Sequence, residues 1–161
     1  MRPRAPLELE SFFVEALSYR AREGFDLRQK PLERVDATTN SLQHKDDPNR
    51  FMVRLEVKVG QQESSNARCE LNLRLVGFFV LPEGVDAGTK LAMHSQNGPS
   101  ILYGVARQIV AETTGNGPWG KVFLPTMNFV AAAGGRAAAQ PEQVEPEPTA
   151  VADRPASKKR R

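Results

Sequence analysis

FMVRLEVKV, residues 51–59, and ARCELNLRLVGFFVL, residues 67–81, decide the fold. In the first stretch Phe51, Val53, Leu55, Val57 and Val59 share one parity, and Arg54, Glu56 and Lys58 take the other. A period of two marks a strand with one buried face. In the second, Cys69, Leu71, Leu73, Leu75, Phe79 and Leu81 share a parity. The alternate positions begin polar at Glu70, Asn72 and Arg74 and turn apolar at Val76, Phe78 and Val80. The polar GQQESSN between the two runs supplies a connection, so they are expected to pair as an antiparallel hairpin.

Upstream, FFVEALSYRA (12–21) suits a strand by its Phe, Val and Tyr, but Glu15 and Ala16 leave a short helix open. Residues 22–50 are polar without a sustained period and read as a long excursion holding one short irregular strand near 33–38. Downstream, PEGVDAG (82–88) reads as a turn. A helix is expected next: Asn97–Gly98 offers a cap, and Pro99 suits the first helical position, where its missing N–H costs nothing. Ile101, Leu102, Val105, Ala106, Ile109 and Val110 follow helical spacing, and the helix should stop near Gly115. From Ala131 the chain is rich in Ala, Pro and Glu and has no aromatic residue. Such a composition buries too little apolar surface to offset its ordering entropy. The expected organisation is a folded domain over 1–130 and a disordered tail over 131–161.

The 161 residues are 40% hydrophobic and 25% charged, the mixture of a soluble globular protein, with a net charge of +3. Much of that charge sits in MRPR at the start and KKRR at the end. A nucleic-acid-associated protein acting through these basic ends is one functional class to weigh. No aromatic residue is interleaved with them, however, so a stacking platform for bases is missing and no nucleic-acid partner is expected. No apolar run approaches the roughly 20 residues of a membrane span, and the basic N-terminus has no apolar stretch behind it. Cys69 is the single cysteine and reads as a small buried hydrophobe, in keeping with a reducing, cytoplasmic setting.

GNGPWGKVFLPTMNF (115–129) contains a match to G-x-G-x-x-G. A dinucleotide loop needs a strand before the glycines and a helix after them. Here Gly115, Gly117 and Gly120 follow a helix, and Pro118 and Pro125 oppose a new one, so they read as a helix stop and a turn of the chain. His44 and His94 stand apart in sequence, no zinc-ligand spacing exists, and no nucleophile elbow appears. Neither a cofactor, a metal nor an enzymatic activity is expected.

The informative feature is apolar surplus. Parity places Phe78 and Phe79 on opposite faces of one strand. An oligomer interface, a local core around a long loop, or an apolar groove for extended polypeptide could each cover the second face. The groove candidates are Phe78, Phe79, Leu81 and Tyr103. The helix likewise carries Ile101, Val105 and Ile109 on one side and Tyr103 and Val110 on another, more apolar surface than one sheet face covers. A homotetramer with a dimer as its stable half is therefore expected.

The segment GPSILYGVARQIVAETTGNGPWGKVFLPTMNF (98–129) resembles the helix and following segment of the SecB protein-export chaperones. The shared positions are Ile101-Leu102, Ala106-Arg107, Leu124-Pro125 and Asn128-Phe129. Upstream, CELNLRLVGFFVLPEGV resembles the third strand of that family through Cys69-Glu70 and Gly77-x-Phe79. The resemblance covers about residues 11–130. It implies an α+β fold, a four-stranded antiparallel sheet with helices packed on one face, assembled as a dimer of dimers. It also implies an ATP-independent holdase for unfolded polypeptides such as exported preproteins, with docking to the SecA motor ATPase through acidic residues on the outer sheet face. Glu70 stands at one docking position. In the first strand, positions expected to be acidic hold Ala16 and Arg20, and the second helix of the family meets the small, Gly-broken VAAAGGRAAAQPE. A chaperone of the same kind serving one dedicated client, for example an antitoxin, without motor docking, is the alternative.

Overall fold

A computed structural model describes residues 7–62 and 66–129, and the backbone of a strand over 136–139. Four long strands, β1 (Glu8–Ala21), β2 (Val35–Gln43), β3 (Arg50–Val59) and β4 (Cys69–Val80), form an antiparallel sheet in the order β1-β4-β3-β2. The expected hairpin is present: Phe51 faces Phe79, Leu55 faces Leu75 and Val59 faces Leu71. Their shared parity is buried, because alternation sends every second side chain to one side of the pleat.

The ambiguous segment at 12–21 is all strand, with no helical turn at Glu15–Ala16. The excursion over 22–50 is corrected more heavily. Instead of a short irregular strand near 33–38, it holds the regular nine-residue β2, paired along its whole length with β3.

After β4 the chain does more than turn. Asp86 accepts a hydrogen bond from the Thr89 backbone N–H (3.0 Å) and one from the Thr89 hydroxyl (2.6 Å), and this cap starts α1 (Ala87–Ala92). A π-helical turn, Met93–Asn97, leads into α2 (Gly98–Gly115), with Pro99 in its first turn. Helix α2 lies on β3 and β4 and buries Leu102, Tyr103, Ala106 and Val110. Gly77 permits that approach, since a Cβ there would lie 3.0 Å from Leu102 Cδ1. Cys69 is buried in this layer, and burial pushes its thiol up to about 11, so it stays protonated at neutral pH.

The glycine-rich stretch is a helix stop. Gly115 closes α2, and Thr114 ties the next segment to it, donating to Val110 O (2.7 Å) and accepting from Val122 N (2.8 Å). Trp119 packs on Phe25 at 5.5 Å and donates its indole N–H to Arg22 O (2.9 Å). The chain then reaches β5 (Met127–Asn128). Strand β6 (Arg136–Ala139) pairs with β2 on one side and β5 on the other. It lies within the segment expected as a tail. Residues 130–135 and 140–161 lie outside the described residues.

Candidate functional site

The sheet face opposite α2 is set by register. Across β1 and β4 it carries the pairs Phe13–Val76, Ala16–Arg74, Ser18–Asn72 and Arg20–Glu70. Across β3 and β2 it carries Met52–Leu42, Arg54–Asn40 and Lys58–Asp36. One end of this face is apolar and the other is charged.

At the charged end Glu70 pairs with Arg22 (3.3 Å), and Arg20 stands directly across from Glu70. In the middle the Glu15 carboxylate lies between Arg54 (3.1 Å) and Arg74 (3.8 Å). Glu15 is the inserted residue where the β1–β4 register slips between Val14 and Ala16. Its charge is spent on two guanidinium groups, and such exposed pairs contribute about 0–1 kcal/mol each.

At the apolar end the Phe13 and Phe78 rings meet at 6.2 Å, both exposed. Beside them opens a cavity of about 390 Å³ whose lining includes Leu42, Met52 and Phe78 together with charged Glu10, Lys45 and Arg50. That volume suits one or two large side chains rather than a folded partner. Arg50 is held by both Glu10 (3.3 Å) and Asp47 (3.4 Å), which fixes the polar border.

Of the four residues expected to line a groove, only Phe78 is open, at 37% exposure; Phe79 is at 1%. Phe79 and Leu81 lie on the buried parity, and Phe79 stacks on Phe51 at 5.2 Å. Tyr103 is buried against Phe129 and donates its hydroxyl to Pro125 O (2.8 Å). All three are core residues of the protomer, placed there by the face of the sheet or helix they occupy, and Phe79 is also among the residues that line the cavity. Sequence parity does not reveal Phe13 as the partner of Phe78, because the slipped register hides its face.

Beneath the cavity, His94 in the π-helical turn stacks on Phe51 at 3.9 Å, extending the Phe51–Phe79 stack. Its Nε2 is buried without a hydrogen-bond partner. Burial first, and the Lys90 charge second, hold its pKa below the usual 6.5. The unfolded chain therefore binds this proton more readily. Stability from neutral His94 is full above pH 6.5 and is lost as pH falls below it, levelling off below the folded-state pKa. Denaturant midpoints measured from pH 7.5 down to 5.5 should fall, and His94→Phe, which keeps the ring stack, should flatten that dependence.

The family described as "Preprotein translocase subunit SecB" matches residues 2–138. The chain belongs to the SecB family. An uncharacterized protein of Methanocaldococcus jannaschii, MJ0357, is 23% identical over 128 residues, covering 78% of this chain and 81% of that one. A solved structure of the SecB-like chaperone Rv1957 of Mycobacterium tuberculosis, in complex with a ChAD peptide from the Rv1956 HigA1 antitoxin, matches with a TM-score of 0.60. It is 14% identical, and the match covers 75% of this chain and 90% of that one, a likeness that shows the fold. Membership of the SecB family and this fold together support a chaperone role. No helix among the described residues of this SecB family member is long and apolar enough to cross a membrane.

Proposed function

We propose that this protein is a cytoplasmic, ATP-independent holdase that binds unfolded polypeptides, exported precursors among them. The observation that carries the reading is the Phe13–Phe78 pair, exposed at the apolar end of this sheet face beside the cavity lined by Leu42 and Met52. An extended client lays alternate side chains along such a face. Each large apolar side chain buried contributes roughly 1.5–3 kcal/mol. A few of them, less the entropy of ordering the client, give affinity near the micromolar range. That strength allows release. Phe78→Ser should weaken binding of an unfolded polypeptide about tenfold, or about 1.4 kcal/mol, with the melting temperature nearly unchanged. A fluorescence-anisotropy titration against a permanently unfolded protein measures this, and unchanged affinity removes Phe78 from the site.

A second reading, a chaperone for a dedicated client without SecA docking, is favoured by the charged end of the same face. By the family resemblance Ala16 and Arg20 hold positions where acidic residues would attract a motor; Arg20 faces Glu70, which is engaged by Arg22. SecA affinity that is weak and falls further on Glu70→Ala fits the holdase reading with a reduced docking face. No measurable SecA binding fits the dedicated client.

Assembly belongs to the same proposal. On the helix side, β1 leaves Phe12, Val14 and Leu17 exposed, and α2 leaves Ile101 exposed. A second copy covers these side chains in a homotetramer built as a dimer of dimers. Light scattering at micromolar concentration should return the tetramer mass, and a monomer overturns the assembly.

A further inference from the structure

A second surface stands apart from the sheet face. Leu27, Leu32 and Phe123 are 76%, 65% and 73% exposed, far more than Phe78. They are presented by fixed backbone. Asn66 donates its amide to the Asp26, Gln29 and Lys30 carbonyls (3.1, 3.3 and 3.4 Å), holding the segment that carries Leu27. Arg68 binds Glu33 (2.6 Å) and the Lys121 carbonyl (2.9 Å), tying the segment of Leu32 to the segment of Phe123. Exposed Lys30, Arg34 and Lys121 flank these side chains, while the nearby Glu33 carboxylate is taken by Arg68.

Strand direction says what arrives there. In the β2–β6 ladder Arg136 faces Thr38 and Ala137 faces Ala37, so β6 advances toward the start of β2 at Val35. In the β5–β6 ladder Ala139 faces Met127, the start of β5. The C-terminal end of β6, at Ala139, is therefore directed between the residues preceding Val35, which include Leu32 and Arg34, and those preceding Met127, which include Lys121 and Phe123. The next residues are QPEQVEPEPTAVAD, 140–153, with Glu142, Glu145, Glu147 and Asp153, no Lys or Arg, and apolar Val144 and Val151.

We propose that residues 140–153 dock on this surface of their own chain, the carboxylates against Lys30, Arg34 and Lys121 and the valines against Leu32 and Phe123. The segment is an internal ligand: it covers a basic, apolar surface that would otherwise be open to any acidic extended polypeptide. Electrostatics makes it displaceable, because exposed ion pairs are weak singly and screened by salt.

The experiment places the photo-cross-linker p-benzoylphenylalanine at position 123 of the full chain and irradiates it without client, in a mixture of isotopically light and heavy protein. Mass spectrometry should find cross-links within one chain, from position 123 into 140–153. Three pairs at about 0.5 kcal/mol each predict roughly a tenfold lower yield in Glu142→Lys/Glu145→Lys/Glu147→Lys. A comparable loss is expected in 1 M salt, where the screening length is about 3 Å. Cross-links that are absent, that join only different chains, or that are indifferent to charge reversal overturn the proposal. Because no client is present, that failure leaves the Phe78 surface reading untouched.

Discussion

Phe79→Ala is expected to remove about 3–5 kcal/mol of stability, the cost of truncating a buried aromatic ring, whereas Phe78→Ala should move it by less than about 1 kcal/mol. The two rings are adjacent in sequence and opposite in environment. Phe79 is stacked at 12° on Phe51, which also bears His94, so its removal opens a cavity within a three-ring stack. Phe78 touches Phe13 on the open face and leaves no enclosed void. Domains of this size are stable by about 5–15 kcal/mol in total, so the first substitution consumes a large share. Denaturant midpoints of both variants, taken at one protein concentration because the proposed assembly would add to stability, decide the matter. Equal losses would mean that the two faces of β4 are both core.

The same pair shows why parts of the fold were legible in sequence. β3 and β4 alternate because one face meets α2 and the other meets water or charge, and that asymmetry is written directly into residue parity. α2 was equally plain, since Pro99, a regular apolar stripe and Gly115 bracket it. β2 was not, because as VDATTNSLQ it lies towards the edge of the layer and fully buries only Ala37. A strand with almost no core contribution has almost no apolar period to read. β1 failed differently. Register slips at Glu10 and Glu15 exchange its faces, so Val14 and Leu17 lie on the same side although their sequence parity differs. No count of alternation in FFVEALSYRA can survive two inserted residues. α1 was readable in principle from Asp86 and Thr89, but Gly84 and Gly88 suggested only a turn.

The candidate site was legible to the same depth. Parity separated Phe78 from Phe79 and so named one open aromatic. It could not name Phe13, whose face depends on the β1 slips, nor Leu42 and Met52, which reach the cavity through the unread β2 pairing. Tyr103 looked available because a helix with apolar residues on two sides suggests surplus. The extended segment before β5 occupies that side instead, and Pro125 O takes its hydroxyl. Burial pushes that hydroxyl up to about 12, as expected for a phenol enclosed in a core.

Gly60→Ala should cost at least about 3 kcal/mol, the second large effect, and the reason is a meeting of two strands. Gly60 directly follows β3 and has φ 66°, a conformation that costs a residue bearing a Cβ about 1 kcal/mol. Gly84 has φ 80° with nothing within 4 Å of an added Cβ, so Gly84→Ala reports that backbone cost alone. At Gly60 the added Cβ would overlap the carbonyl oxygen of Cys69 and come within 3.1 Å of Ala67 Cβ. A carbonyl cannot rotate aside as a side chain can. Relief requires β4 to move at its first residue, where Cys69 already pairs with Ala21 of β1. Gly60 is also held on both polar groups, its N–H on Arg34 O (2.9 Å) and its carbonyl on Arg22 Nη2 (2.6 Å). Displacing it therefore strains β1, β2 and β4 together and loosens the Arg22 side chain that engages Glu70. Chemical denaturation of the two alanine variants isolates the overlap as their difference. A loss at Gly60 no larger than at Gly84 would mean that the hairpin base yields freely, and that the charged end of the outer face is not fixed by the close approach of β3 and β4.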